Sequence, residues 1–163
     1  MNPKPNLLQR LIAAIVMQRP ITVALSGITE PLDKFFLALT GGRFAISQIA
    51  GLPIIQVESR GARTGQLRTH TLMGVKDGEK IAVVGTNFGG ENHPAWVFNL
   101  RANPDCSVRA HNLTKKYRAR EVQGDEYEKY AVMATDLYKG YALYRKRAAH
   151  RHVAIFVLEP APE

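Results

Sequence analysis

Three stretches of this chain hold residue types whose spacing can do chemistry. The first is Ser59-Arg60-Gly61-Ala62-Arg63-Thr64-Gly65-Gln66-Leu67-Arg68. Its glycines allow a tight turn that presents backbone N–H groups outward. Thr64 adds a hydroxyl, and Arg63 and Arg68 bring two guanidinium forks, which suit phosphate or carboxylate. The stretch reads as an anion cradle or as a solvated basic hairpin. It is not a P-loop, because the Gly-Lys-Ser/Thr ending is absent.

The second stretch is Gly85-Thr86-Asn87-Phe88-Gly89-Gly90-Glu91-Asn92-His93-Pro94-Ala95-Trp96. A glycine-rich loop runs into a helix start, where backbone N–H groups favour negative charge. Such a loop can close over a flat ring or a phosphate. His93 is a proton donor or a helix cap, and Trp96 has core packing as its plain role. Asn99 and Asn103 read as helix-surface and helix-end residues. The third stretch carries Tyr138, Tyr141 and Tyr144, three apart and so along one side of a helix. They can wall an acceptor pocket and donate hydrogen bonds, or simply pack. A basic run follows, with Arg145, Lys146, Arg147, His150, Arg151 and His152. It suits a solvated face or an anionic tail. No nucleophile triad is legible, and the histidines lack metal-ligand spacing, so no metal is expected.

The elements that must position these residues follow from local signals. Asn6 caps a helix from Leu7 to about Gln18, and a second helix starts near Glu30-Pro31 and stops at Gly41-Gly42. Strands are expected over Ile54–Glu58, Leu67–Val75 and Lys80–Val84, the last two joined by the Asp77-Gly78 hairpin signal. A short helix is expected over Ala95–Arg101, then a hairpin of Cys106–Ala110 and Lys115–Val122. Helices over Asp125–Leu137 and Gly140–Arg147 and a last apolar strand over Val153–Leu158 complete the chain. About six strands with helices at the ends and between them favour an α+β barrel over a doubly wound sheet. The expected organisation is a helical segment over residues 1–52 packed on a barrel over residues 53–163.

Bulk properties narrow the setting. The chain has 163 residues, which suits one domain. Cys106 is the only cysteine, which excludes an internal disulfide and fits a reducing cytoplasm. The formal charge of +8 attracts anions without choosing among nucleic acid, membrane and small molecule. No RNA-binding aromatic signature or zinc-finger spacing is present, so nucleic acid ranks last. Leu7, Leu8, Leu11, Ile12 and Ile15 share a helix face, but Leu7–Val16 is too short to span a bilayer. That face suits peripheral membrane contact, or packing on its own domain or on a second copy in a homodimer.

Taken together the segments resemble a known family. Gly61 to Arg68, Gly85 to Pro104 with His93-Pro94-Ala95-Trp96, the Tyr138/Tyr141/Tyr144 group and Val157-Leu158-Glu159-Pro160 are similar in order and spacing to the deazaflavin-dependent nitroreductases, F420-binding split-barrel oxidoreductases. The likeness runs over about residues 30 to 160, with Gly41-Gly42-Arg43 and Gly51-Leu52-Pro53 as its lead-in. It implies a split β-barrel with N-terminal and peripheral helices, and the anionic coenzyme F420 as hydride carrier. It implies that Arg63, Thr64 and Arg68 bind the anionic groups. Gly85, Thr86 and Asn87 would lie along phosphate and ring, Ala95 and Trp96 beside the deazaflavin, and the tyrosines along the acceptor. Some members have a basic residue at the place of Ala62, Lys at that of Asn87 and Pro at that of Leu67. The implied reaction is hydride transfer to a quinone, enone or nitroaromatic, with Tyr141 as leading donor. Rival readings are an FMN-dependent oxidoreductase on the same fold and a non-catalytic protein that binds lipid or fatty acid.

Overall fold

The computed structural model describes residues 52–110 and 113–162. The expected N-terminal helices, and with them the amphipathic face from Leu7, lie outside the described residues, as do His111 and Asn112 at the expected hairpin tip. Seven strands form one curled antiparallel sheet: β1 (Ile54–Arg60), β2 (Leu67–Met73), β3 (Val75–Asp77), β4 (Lys80–Val84), β5 (Asp105–Ala110), β6 (Leu113–Glu121) and β7 (Ile155–Pro160). Their order across the sheet is β2-β1-β5-β6-β7-β4-β3. Three α-helices accompany them among the described residues: α1 (Ala95–Ala102), α2 (Gly124–Leu137) and α3 (Gly140–Arg147).

Side-chain alternation explains how the sheet divides two cores. On β1, Ile55 and Val57 face inward with Val108 of β5, Tyr117 and Ala119 of β6, Phe156 and Leu158 of β7 and Ile81 and Val83 of β4. The residues between them on β4 and β7 face the other way. Ala82, Ile155 and Val157 pack with Tyr130, Ala131 and Ala134 of α2 and Tyr141 and Tyr144 of α3. Strand β7 is therefore covered on both faces. Its unbroken apolar run has that cause, because neither face needs polar residues.

Sequence signals made residues 67–75 one strand, and the structure corrects this. The strand breaks at Gly74, and the two halves go to opposite edges of the sheet. A Cβ on Gly74 would stand 2.9 Å from Ile81 Cγ2 and 3.0 Å from Ile55 Cδ1. The backbone thus crosses between β1 and β4 where no side chain fits, and the curled sheet closes there. The extra break turns the expected six strands into seven. The Asp77-Gly78 turn joins β3 to β4 as expected, with Gly78 at φ +62.

The ladders fix where the chemistry sits. β1 runs antiparallel to β5, β5 to β6, β6 to β7 and β7 to β4. β1 and β4 therefore run the same way and finish at the same end of the sheet. The arginine turn leaves β1 there and the glycine-rich loop leaves β4 there. Helix α1 plugs that end, with Trp96, Val97 and Leu100 in the barrel core.

Candidate functional site

The arginine turn is built from its own backbone and held by α1. Gly61 N donates to Gln66 O at 2.8 Å and Gly65 N to Gly61 O at 2.8 Å, with Gly65 at φ +67. Ala62 N then donates to Asn99 Oδ1 of α1 at 3.0 Å. Arg63, Thr64 and Arg68 are exposed. Thr64 Oγ1 accepts from Gln66 N at 3.4 Å, and Arg68 donates to Gln66 Oε1 at 3.0 Å. Among the described residues neither Arg63 nor Arg68 has a carboxylate partner. Both guanidinium groups keep their charge available to a ligand.

Asn99 was expected on the helix surface. Instead it is 7% exposed, because it spends its side-chain carbonyl on the neighbouring turn. A buried amide needs such a partner. The link spans 37 residues, so no local pattern could announce it.

The glycine-rich loop is held from three sides. Gly85 N donates to Ala154 O at 2.8 Å, and a Cβ on Gly85 would meet Val97 Cγ2 of α1 at 2.9 Å. Thr86 is buried, while Asn87 and Phe88 turn outward in left-handed conformations, φ 48 and 53. The Asn87 amide closes the loop by donating to Asn92 O at 3.0 Å. Phe88 meets Tyr144 edge-on at 5.7 Å, and a Cβ on Gly89 would collide with Arg147. The third support is Arg151. Its guanidinium donates to the carbonyls of Thr86 at 2.9 Å, Gly90 at 3.2 Å and Gly85 at 3.3 Å. It also meets His93 Nδ1 at 3.3 Å. Arg151 was grouped with the solvated basic run; it is instead the anchor of this loop.

The start of α1 faces the same region. Pro94 is its N-cap and no side chain caps it, so His93 is not a cap. Ala95 is exposed. The Trp96 indole is turned into the barrel, 4% exposed and edge-on to Phe156 at 5.9 Å. Trp96 can therefore reach a ligand beside Ala95 through its backbone. Val97, against the glycine-rich loop, and Asn99, against the arginine turn, lie two residues apart on α1. At about 1.5 Å rise and 100° of turn per residue, the two contacts are close along the axis but on different sides of the helix, so α1 is the element the two segments share.

The tyrosines are not on one helix. Tyr138 ends α2 in extended backbone, φ −145 and ψ 108, and only Tyr141 and Tyr144 lie on α3. Gly140 makes room for the Tyr138 ring, which a Cβ there would strike. The three rings nonetheless cluster, with Tyr138 6.0 Å from Tyr141 and 6.1 Å from Tyr144. All are buried, and Tyr138 and Tyr144 share a hydroxyl hydrogen bond of 3.2 Å. The Tyr141 hydroxyl has no hydrogen-bond partner among the described residues. Burial pushes the Tyr138 and Tyr141 phenols well above their usual range, so both stay protonated near neutral pH. The cluster touches the glycine-rich loop through Phe88 and Tyr144.

Comparison with known proteins places this arrangement. The family model described as F420H(2)-dependent quinone reductase matches residues 36–160. An F420H(2)-dependent quinone reductase of Mycobacterium tuberculosis is 33% identical over 69 residues, 42% of this chain and 46% of that protein. The match thus spans about half the length of that curated relative. A solved F420-H2 dependent reductase, FDR-A, is 34% identical with a TM-score of 0.61, over 66% of this chain and 94% of that one. A solved chain described as a domain-swapped dimer is also 34% identical, TM-score 0.61, over 66% and 80%. The fold is the α+β split barrel of FDR-A, and the chain belongs to the F420H(2)-dependent quinone reductase family.

Proposed function

We propose that this protein is an F420-dependent oxidoreductase that passes a hydride from the reduced coenzyme to a quinone. The observation that carries the reading is that the arginine turn and the glycine-rich loop leave the sheet at the same end and both pack on α1. The residues present fit an elongated anion with a flat ring. Arg63 and Arg68 are exposed cations, and the α1 N-terminus has no side-chain cap. Family membership and the similarity to FDR-A support the same coenzyme over FMN.

In this reading Arg63, Arg68 and Thr64 bind the anionic groups. The backbone of Gly85, Thr86 and Asn87, with that of Ala95 and Trp96, lies along phosphate and ring. Bound reduced F420 supplies the hydride, and a solvent proton completes the hydroquinone. Donor and acceptor atoms must approach to roughly 3–3.5 Å. Negative charge then grows on the quinone oxygen. We assign Tyr141 as the donor to that oxygen, because its hydroxyl has no hydrogen-bond partner among the described residues. Its raised pKa makes it a hydrogen-bond donor rather than a proton source. Tyr138 and Tyr144 hold each other and shape the pocket wall.

Similarity to a domain-swapped dimer supports a homodimer, which light scattering of the full chain checks. No helix among the described residues is long and apolar enough to cross a membrane. Peripheral membrane contact through Leu7–Val16 is tested by co-sedimentation with anionic vesicles, with and without residues 1–18.

The test of function is oxidation of reduced F420 with a panel of quinones, enones and nitroaromatics. Turnover with quinones is expected, and no turnover with any acceptor contradicts the reading. Tyr141→Phe should lower kcat by about tenfold or more while coenzyme affinity stays within about twofold. Equal loss of both would mark Tyr141 as a packing residue only.

A further inference from the structure

We propose that Arg151 is a positioning residue that works from behind the glycine-rich loop, turning a row of backbone N–H groups toward the coenzyme. The proposal rests on the reading of that loop as the coenzyme's seat.

Three loop carbonyls, those of Gly85, Thr86 and Gly90, converge on one guanidinium at 3.3, 2.9 and 3.2 Å. A trans peptide is planar, and its C=O and N–H point in opposite directions. Each carbonyl drawn to Arg151 therefore turns the N–H of the next residue away from it. Those residues are Thr86, Asn87 and Glu91. None of these three N–H groups has a backbone acceptor among the described residues. The neighbouring N–H groups of Gly89 and Gly90 are consumed inside the loop, by Thr86 O at 2.9 Å and Asn87 O at 2.8 Å. What remains is a set of backbone donors turned away from Arg151, and grouped backbone N–H groups of this kind bind anions. The left-handed backbone at Asn87 and Phe88 belongs to the same construction.

Arg151 suits this post because it has no carboxylate partner among the described residues. Its charge is answered by carbonyl dipoles, and these form stronger hydrogen bonds with a cation than with a neutral donor. A ligand anion in front of the loop would sense the same charge through the peptide planes. His93 completes the seat by accepting at Nδ1. It must be neutral to do so. The groups facing His93 are Arg151 and His152 before β7, Arg101 on α1 and Glu121 on β6. Burial first, and Arg151 next, hold the His93 pKa below its ordinary value of 6.5. A loop that opens returns His93 to that ordinary value and gains a proton more readily. The ordered loop is thus fully stable above pH 6.5 and loses stability as pH falls through the lowered pKa.

The test compares the full chain with Arg151→Lys and Arg151→Gln. Hydrogen exchange over residues 85–93 is followed without coenzyme, and F420 affinity by fluorescence titration. Arg151→Gln should speed exchange at Gly89 and Gly90, whose N–H groups are hydrogen-bonded inside the loop, and weaken F420 about tenfold, the value of one charge-assisted hydrogen bond. Arg151→Lys should recover part of both. Unchanged exchange, or affinity within about twofold in folded Arg151→Gln, overturns the proposal. If the Arg151 variants do not fold, His93→Gln decides. Wild-type affinity should fall between pH 7 and pH 5.5 more steeply than that of His93→Gln, and parallel pH profiles overturn the proposal. A wild-type chain that fails to bind F420 removes the functional reading, while the exchange arm still decides whether Arg151 orders the loop.

Discussion

The two glycine-rich segments at the end of this barrel use arginine in opposite ways. In the turn after β1, the backbone closes on itself and on Asn99, and Arg63 and Arg68 stay outside, exposed. In the loop after β4, Arg151 sits half-buried behind the chain and gathers its carbonyls. One segment offers side-chain cations to a ligand. The other offers backbone N–H groups that a cation arranges from the rear. On the reading proposed above, a glycine-rich loop can bind an anion with its supporting cation on the far side from the ligand. The distinction lies in where the arginine's partners are, and those partners are 61 to 66 residues away in sequence.

The comparison can be broken in three ways. The largest effect is expected from the double change Arg63→Ala with Arg68→Ala. F420 affinity should fall about a hundredfold, because two exposed charge-assisted contacts are lost. The Tm should stay within a degree or two, since neither residue packs in a core. A large drop in Tm would mean that these arginines are structural, and the contrast with Arg151 would disappear. Asn99→Ala comes next. It leaves the Ala62 N–H without its acceptor, and urea unfolding should report a loss of about 1–3 kcal/mol. Affinity should fall only severalfold, because the arginines remain but their turn is no longer pinned. The smallest effect is that of salt. Raising ionic strength should weaken coenzyme binding severalfold in the wild type and hardly at all in the double variant. Exchange over residues 85–93 should hardly respond to salt, since Arg151 is partnered by neutral carbonyls rather than by a carboxylate.

Much of this was legible in the sequence because the signals are local. The Asp77-Gly78 hairpin, the cluster Arg63-Thr64-Gly65, the helix after Pro94 and the apolar run of β7 all follow from near neighbours. What was not legible depends on closure of the barrel. Gly74 looks like one residue of a long strand until β1 and β4 are set on either side of it. Tyr138 fits helical spacing with Tyr141 and Tyr144, yet the chain turns there so that its ring can fold over Gly140. Asn99 looks like surface until the arginine turn is laid against it. Arg151 sits among other basic residues and nothing beside it distinguishes it. For Gly74, Asn99 and Arg151 the neighbours come from another strand or loop, which the curl of the sheet brings near, while Tyr138 depends on the break between α2 and α3.

The central claim is that both segments close on one molecule of coenzyme. Hydrogen exchange of the full chain, titrated with F420 and read separately over residues 61–68 and 85–92, tests it most directly. The account requires both stretches to gain protection along a single saturation curve, with FMN giving little at the same concentrations. Protection of one stretch alone, or of neither while F420 is bound, would contradict it.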